Sequence, residues 1–170
     1  MKCSEKGFTL IELLVAIAVL GIMLAIAVPA FRDAMLNSKL NYHSNNFLAS
    51  TNQARSEAIK RNTTVTLCAS TCPVSTTSCS CATSGGWEQG WIILQGTQIL
   101  YRHDPMETGM KMREAGSAHT LVFQPTGVGS TQATLTLCQN SPAVGSREKV
   151  INISATGRAV ITSTVNGVCP

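Results

Sequence analysis

An apolar run near the N-terminus constrains this chain more than any other feature. Between Leu13 and Ala30, eighteen consecutive residues carry no polar side chain, which is the length at which a run becomes a candidate membrane span. A short charged leader precedes the run and ends at Gly7. In a secretory signal, a small-residue cleavage site follows the apolar region, whereas the polar break here precedes it. The pattern therefore predicts a membrane helix.

Glu12 is the single charged residue in the apolar stretch that opens at Phe8. A carboxylate inside a bilayer costs about 2.5–3.5 kcal/mol on insertion scales, so it needs a partner or a functional reason. If the chain is cut after Gly7, the new amine on Phe8 lies one helical turn from Glu12. The amine of a neighbouring copy is an equally good partner. The alternative is a plain membrane anchor that tolerates a Glu near the interface.

The string from Gly7 to Glu12 resembles the processing site of type IV pilins and pseudopilins. The resemblance implies that a prepilin peptidase cuts after Gly7 and that the new N-terminal Phe8 is methylated. It also implies that Glu12 supports assembly into a filament and that Pro29 loosens the long helix. The implied partners are other major and minor pilins, the peptidase and the inner membrane before assembly. The implied location is a single-pass inner-membrane protein that then enters an extracellular pilus.

The pattern beyond Pro29 predicts that the helix continues to about Arg61. An apolar stripe at helical spacing runs through Leu36, Leu40, Phe47, Ala54 and Ala58. β-Branched runs between turn signals then predict strands at 64–69, 90–95, 98–101, 119–123, 133–139, 149–155 and 158–164. The predicted fold class is α+β, with a long N-terminal helix and an antiparallel β domain. The predicted divisions are a leader (1–7), a long helix (8–61, with 8–30 transmembrane) and a soluble β domain (62–170).

Residues 54–62 and 153–158 resemble the GspH/FimT-like family of minor pilins and pseudopilins. That resemblance implies that the β domain consists of two small sheets packed on the helix. It implies a minor pilin of the FimT/FimU type, incorporated near the pilus tip and supporting assembly. The alternative is a GspH-like minor pseudopilin of a type II secretion system.

Seven cysteines are present, of which Cys3 lies in the leader. The other six are Cys68, Cys72, Cys79, Cys81, Cys138 and Cys169. An even number outside a membrane anchor favours disulfides in an oxidising compartment, although spacing alone leaves the connectivity open. The resembling pilins imply a pair between Cys138 and Cys169, with the other four bridged nested or crossed. The spacings miss the paired pattern of structural zinc sites, so neither a metal nor a cofactor is predicted.

The sequence does not predict an enzyme. His103 and Asp104 are adjacent, so their side chains would point to opposite faces of a strand. No recognisable nucleophile motif accompanies them. Trp87 and Trp91 offer a possible stacking platform for nucleic acid, but at least one of the two is predicted to be in the core.

Double-stranded DNA is the remaining predicted partner. Some FimT-like pilins bind DNA through a C-terminal Gly-Arg-x-Arg motif, whose first half matches Gly157-Arg158, while Val160 replaces the second Arg. Arg147 and Lys149 would complete a small basic patch if the last two predicted strands form a hairpin, with Val160 packed inward. The net charge of +4 is mild for a dedicated nucleic-acid binder. The alternative is that Arg158 is a solvated turn residue.

Overall fold

The computed structural model describes residues 8–72, 79–127, 130–141, 147–167 and 169. The leader, including Cys3 and Gly7, lies outside the described residues. The chain divides into two compact units, Met1–Leu36 and Asn37–Pro170.

One helix, α1, spans Leu10–Arg61. It ends where Asn62 adopts a left-handed conformation, with φ of 51°. The N–H groups of Asn62 and Thr63 donate to the carbonyls of Ile59 and Ala58, both at 3.2 Å. This pair of bonds satisfies two of the carbonyls that the end of a helix leaves unpaired. The predicted end of the helix near Arg61 therefore has a local cause.

Two antiparallel four-stranded sheets make up the β part of the second unit. In chain order the strands are β1 (Val65–Ala69), β2 (Trp91–Gln95), β3 (Gln98–His103), β4 (Met110–Glu114), β5 (Thr120–Phe123), β6 (Ala133–Gln139), β7 (Glu148–Ile153) and β8 (Ala159–Thr164). The first sheet has the order β3-β2-β1-β5 and the second β4-β6-β7-β8. The predicted α+β class with two small sheets is confirmed.

Strand β4 is absent from the sequence-based prediction. Its residues, Met-Lys-Met-Arg-Glu, are good helix formers and carry little strand signal. The strand forms because it pairs with β6 from Met110↔Gln139 to Glu114↔Leu135. Met112 is fully buried as a result. Tertiary pairing overrides local propensity here.

The helical stripe of the second unit lies in the core. Leu40, Phe47, Ala54 and Ala58 are all buried. Their burial follows from the helical spacing, which places them on one face of α1.

Both tryptophans belong to this core. The ring of Phe47 meets Trp87 and Trp91 edge-on, with centroids 5.3 and 5.2 Å apart. The Trp91 Nε1–H donates to Ser50 Oγ at 2.9 Å, and the Trp87 Nε1–H donates to the Ala118 carbonyl at 3.0 Å. Because both rings are buried with their N–H groups satisfied, neither serves as a stacking platform for bases.

Three disulfides link the described cysteines. They are Cys68–Cys81, Cys72–Cys79 and Cys138–Cys169. The first two are nested within one loop, and the third is the pair that the family resemblance implies. It closes a sequence separation of 31 residues and attaches the C-terminal tail to β6. In the chain-entropy model, closing a loop of this length contributes roughly 3–4 kcal/mol.

Candidate functional site

The first unit presents an exposed surface that is apolar without interruption from Leu13 to Phe31. Every residue from Phe8 to Met35 is exposed, with Leu10 at 76% and Ile26 at 70%. By length and composition, α1 is apolar enough over this part to cross a membrane. Contiguous apolar surface of this size is rare on soluble monomers and marks contact with lipid or protein. Pro29, the predicted assembly residue, lies inside α1 within this surface.

Glu12 is held at the start of α1 by Thr9. The Thr9 N–H and Oγ1–H both donate to Glu12 Oε2, at 3.1 and 2.9 Å. The Glu12 N–H in turn donates to Thr9 Oγ1 at 3.3 Å. This reciprocal arrangement is a capping box, in which the first residue before a helix and the third residue within it satisfy each other's backbone donors. The carboxylate therefore has a fixed position in the uncut chain.

Thr9 is a functional candidate that the sequence-based prediction does not include. That prediction gives Glu12 a partner through the amine that cutting would create on Phe8. The pattern Thr-x-x-Glu before an apolar run is the signal that could have found it. Phe8 is described and 75% exposed, whereas Gly7, on the other side of the predicted cut, lies outside the described residues.

The predicted hairpin that carries Arg158 is present. Strands β7 and β8 pair antiparallel, from Ile153↔Ala159 to Glu148↔Thr164. The turn is closed by a hydrogen bond of 3.0 Å from the Ser154 N–H to the Arg158 carbonyl. Arg158 is exposed.

The basic patch around Arg158 does not form as predicted. Lys149 is only 9% exposed, because alternate residues of a strand share a face and it lies on the same face as the buried Ile151. Its Nζ donates to Ser163 Oγ at 2.7 Å. Arg147 is exposed but precedes β7 at the far end of the hairpin, which places it roughly 20 Å from Arg158 along the strands. Arg158 is therefore separate from the other two cations.

The prediction that Val160 packs inward is wrong. Val160 is 47% exposed and pairs with Asn152, which is also exposed. Its neighbours Ala159 and Ile161 take the inner face instead, since side chains alternate along a strand.

A groove of about 640 Å³ lies beside Arg158. Polar side chains of Gln132, Thr134 and Asn152 line it together with Glu114. Among the described residues, the ion pairs join other groups and do not involve Arg158. An exposed guanidinium outside any of these ion pairs is suited to a single contact with an anion.

His43 is a buried polar residue on the helical stripe of the second unit. It is 4% exposed, and neither ring nitrogen has a hydrogen-bond partner in the described structure. Burial holds the pKa of His43 below its ordinary value of 6.5. The Glu107 carboxylate opposes that shift, whereas His103 and Lys39 reinforce it. Glu107 itself accepts a hydrogen bond from Lys39, which lowers the pKa of that carboxyl.

The pKa of His43 predicts that folding stability decreases in mild acid. The unfolded chain binds a proton at His43 more readily than the folded chain does, so this loss begins as pH falls below about 6.5 and ends below the folded-state pKa. We expect the free energy of unfolding to fall between pH 7 and pH 5, and the slope to be lost in His43→Leu. Urea unfolding of the full chain in detergent at several pH values measures this. Asn45→Leu, which changes an exposed position of the same helix and no titratable group, is the control and should keep the slope. An unchanged slope in His43→Leu would contradict the assignment.

The described residues offer no group of three His, Cys, Asp or Glu side chains that could hold a metal ion.

Two family models match the chain. The model described as type II transport protein GspH matches residues 43–157. The model described as the prokaryotic N-terminal methylation motif matches residues 2–28. Together they cover most of the exposed apolar surface, the capping box and most of the β domain.

Curated relatives match over the N-terminal segment. Fimbrial protein EcpC of Eikenella corrodens is 49% identical over 41 residues, which is 24% of this chain and 27% of that protein. The type IV major fimbrial protein FimA of Dichelobacter nodosus is 49% identical over 39 residues, which is 23% of this chain and 24% of that protein. The chain thus matches only about a quarter of the length of these relatives.

A solved structure shares the fold. The type IV minor pilin FimU of Pseudomonas aeruginosa aligns with a TM-score of 0.56 and 21% identity, covering 74% of this chain and 90% of that one. A second crystal form of FimU aligns with a TM-score of 0.53.

Proposed function

The chain belongs to the GspH family and carries the N-terminal methylation motif of type IV pilin-like proteins, and from that membership we propose that it is a minor type IV pilin. In this role it enters the pilus near the tip and supports assembly with other major and minor pilins. Residues 1–7 are the leader, 8–61 the pilin helix and 62–170 the exported domain. Its role is structural rather than catalytic.

The observation that carries this proposal is the exposed apolar surface of the first unit, together with a carboxylate fixed at its start. Before assembly, lipid covers the side chains of residues 8–30, which makes the chain a single-pass protein of the inner membrane. In the filament, the helices of neighbouring subunits replace the lipid. Glu12 is costly in either apolar environment unless it meets a positive charge. The amine that cutting after Gly7 creates on Phe8 supplies that charge.

Processing gives the first prediction for this function. The mature chain should lack residues 1–7 and carry one added methyl group on Phe8. Gly7→Ala should be cut in part, because Ala is small, whereas the bulky side chain of Gly7→Leu should block the peptidase. Intact-mass analysis of membrane-extracted protein measures both. A mature mass that retains Met1, Lys2 and Cys3 would be incompatible with a pilin.

A deletion strain tests the function itself. Loss of surface pili and of twitching, restored by the unmodified gene and not by Gly7→Leu, is the result expected for a minor pilin. The alternative is a minor pseudopilin of type II secretion, for which export of secreted proteins would fail while pili remain. The six cysteines of the exported domain fit an oxidising compartment, which both alternatives supply.

DNA capture is a second candidate function, supported by the exposed and unpaired Arg158 beside its groove. A single phosphate contact implies weak, sequence-independent binding that salt suppresses. We expect Arg158→Gln to weaken binding to duplex DNA and to reduce the salt slope by about one. Arg147→Gln, at the far end of the hairpin, is the matched control and should change little. A titration of the full chain in detergent at low and moderate salt measures this; no binding at low salt would remove DNA as a partner.

A further inference from the structure

Strand β8 is the outermost strand of the second sheet. Its register with β7 runs without interruption from Ala159 to Thr164. Among the described residues, no strand pairs with its other edge. An open edge presents a row of unpaired backbone N–H and C=O groups, which act as a template for another strand. Proteins commonly block such edges with short strands, charges, bulges or covering segments.

The first sheet has both edges blocked. Strand β5 has only four residues, and its outer edge is covered by Thr131. The Val122 N–H donates to Thr131 Oγ1, and the Val122 carbonyl accepts from the Thr131 N–H, both at 3.0 Å. Strand β3 contains Arg102 and an irregularity opposite Ile93 and Leu94, where its register with β2 shifts.

The opposite edge of the second sheet is blocked as well. Strand β4 carries Lys111 and Arg113. The N–H of its central residue, Met112, donates to Glu88 Oε2 at 3.2 Å. Arg113 also pairs with Glu88, at 2.9 Å. The 3-10 turn at Trp87–Gln89 therefore covers this edge.

Strand β8 has none of these protections. Its six residues, Ala-Val-Ile-Thr-Ser-Thr, include no charge and no proline. Its pairing with β7 shows no bulge. Val160 is 47% exposed, and Val165, directly after the strand, is 74% exposed. The Cys138–Cys169 disulfide anchors the C-terminal tail beyond it, so the strand is held in place as a fixed edge.

The turn that precedes β8 determines which of its backbone groups point outward. The Ser154 N–H donates to the Arg158 carbonyl, so these two residues form a hydrogen-bonded pair of the antiparallel ladder. Such pairs alternate along an antiparallel ladder, so Thr162 directs its N–H and C=O toward β7. Ile161 and Ser163 then direct theirs to the open side. A partner strand would form backbone hydrogen bonds with Ile161 and Ser163. Thr162 would form none with the partner strand, because its N–H and C=O point toward β7.

We propose that β8 pairs edge to edge, antiparallel, with β8 of a second copy of this chain. In this pairing Thr162 lies opposite its own counterpart, and Ile161 of each copy bonds to Ser163 of the other. Two copies of β8 can pair because the strand has no charged side chain, so no like charges would lie opposite each other. Its β-branched residues also form favourable cross-strand pairs. The second sheets of the two copies then form one continuous sheet of eight strands. This contact is independent of the helix and of the proposed pilus role.

Cross-linking of the full chain in detergent tests the geometry. In a Cys3→Ser background, Thr162→Cys should give a disulfide dimer on oxidation, because a pair without hydrogen bonds has Cα atoms about 4.5 Å apart, within disulfide reach. Thr134→Cys is the matched control, since Thr134 is exposed on the same face but lies on β6, two strands inside the edge. Its two copies would be roughly 24 Å apart. We expect at least about a tenfold excess of dimer for Thr162→Cys; equal yields would overturn the proposal.

Amide exchange and a charge swap test it independently. In the unmodified chain, exchange at Ile161 and Ser163 should slow by about tenfold or more with rising protein concentration, while Thr162 stays protected throughout. Thr162→Lys and Thr162→Glu should each abolish the concentration dependence, because like charges then lie opposite each other. An equimolar mixture of the two should restore it. Exchange that does not depend on concentration in the unmodified chain, or a mixture that behaves like the single variants, would overturn the proposal.

Discussion

A chain carrying Glu12→Ala is expected to insert into the inner membrane at least as well as the unmodified chain and to be largely absent from assembled pili. Insertion should improve, because removing the carboxylate relieves a cost of about 2.5–3.5 kcal/mol. Assembly should fail, because the amine on Phe8 loses its counter-charge in an apolar environment, and removing one partner of a buried ion pair costs about 3–5 kcal/mol. A loss of even about 1.4 kcal/mol corresponds to about a tenfold reduction in incorporation. Immunoblots of sheared pili against membrane fractions measure both quantities.

Glu12→Gln separates the charge from the helix cap. The amide keeps an oxygen that can accept from the Thr9 N–H, so the capping box survives in part. If the charge is what assembly needs, Glu12→Gln should fail as Glu12→Ala does. Thr9→Val removes the hydroxyl of the cap and keeps the charge of Glu12. It should therefore be incorporated into pili more efficiently than Glu12→Ala or Glu12→Gln. Normal incorporation of Glu12→Ala would show that Glu12 is only a tolerated residue near the interface.

Truncation of Trp91 is expected to be the most destabilising single change in the β domain. Trp91 is fully buried, its ring stacks on His103 with centroids 3.8 Å apart, and it meets Phe47 edge-on. Trp91→Ala leaves a cavity and should cost about 3–5 kcal/mol of the free energy of unfolding. It also leaves Ser50, which accepts the indole hydrogen bond, without that partner.

Urea unfolding of the full chain in detergent measures this loss, with the fluorescence of Trp87 as the probe, since every variant keeps that residue. Trp91→Phe is the matched control and should cost much less, because it keeps most of the ring contacts. Ser50→Ala leaves the indole N–H unsatisfied and should cost about 1–3 kcal/mol. A Trp91→Ala chain within about 1 kcal/mol of the unmodified one, on the order of a surface substitution, would contradict the central place of this residue in the core.

Interactions that are local in the chain could be predicted from the sequence. The long apolar helix, its end near Arg61 and seven of the eight strands in the described residues follow from runs and periodicities a few residues long. The Thr9–Glu12 cap is equally local, and the Thr-x-x-Glu pattern contains it although the sequence-based prediction omits it. Strand β4 was missed because its residues favour a helix locally and become a strand only by pairing with β6.

The predicted basic patch of the DNA site was wrong for the same reason, because it depends on contacts that are not local in the chain. Arg147, Lys149 and Arg158 are close in sequence, and the hairpin predicted between the last two strands is present. Which cations share a surface depends on strand register and on which face the core covers. Lys149 points inward to Ser163 and Val160 points outward, and period-two alternation does not reveal which face is buried.

By itself, the sequence determined the apolar segment with its single carboxylate, the helix that contains it and the β-rich character of the C-terminal domain. These are patterns of neighbouring residues, so they are visible without knowing which distant segments of the chain meet. Only the tertiary structure decided the nested disulfides, the burial of both tryptophans and the open edge at β8. Each of these depends on contacts between segments that are distant in the chain, which local propensity does not encode because pairing and burial are settled only when the sheets assemble.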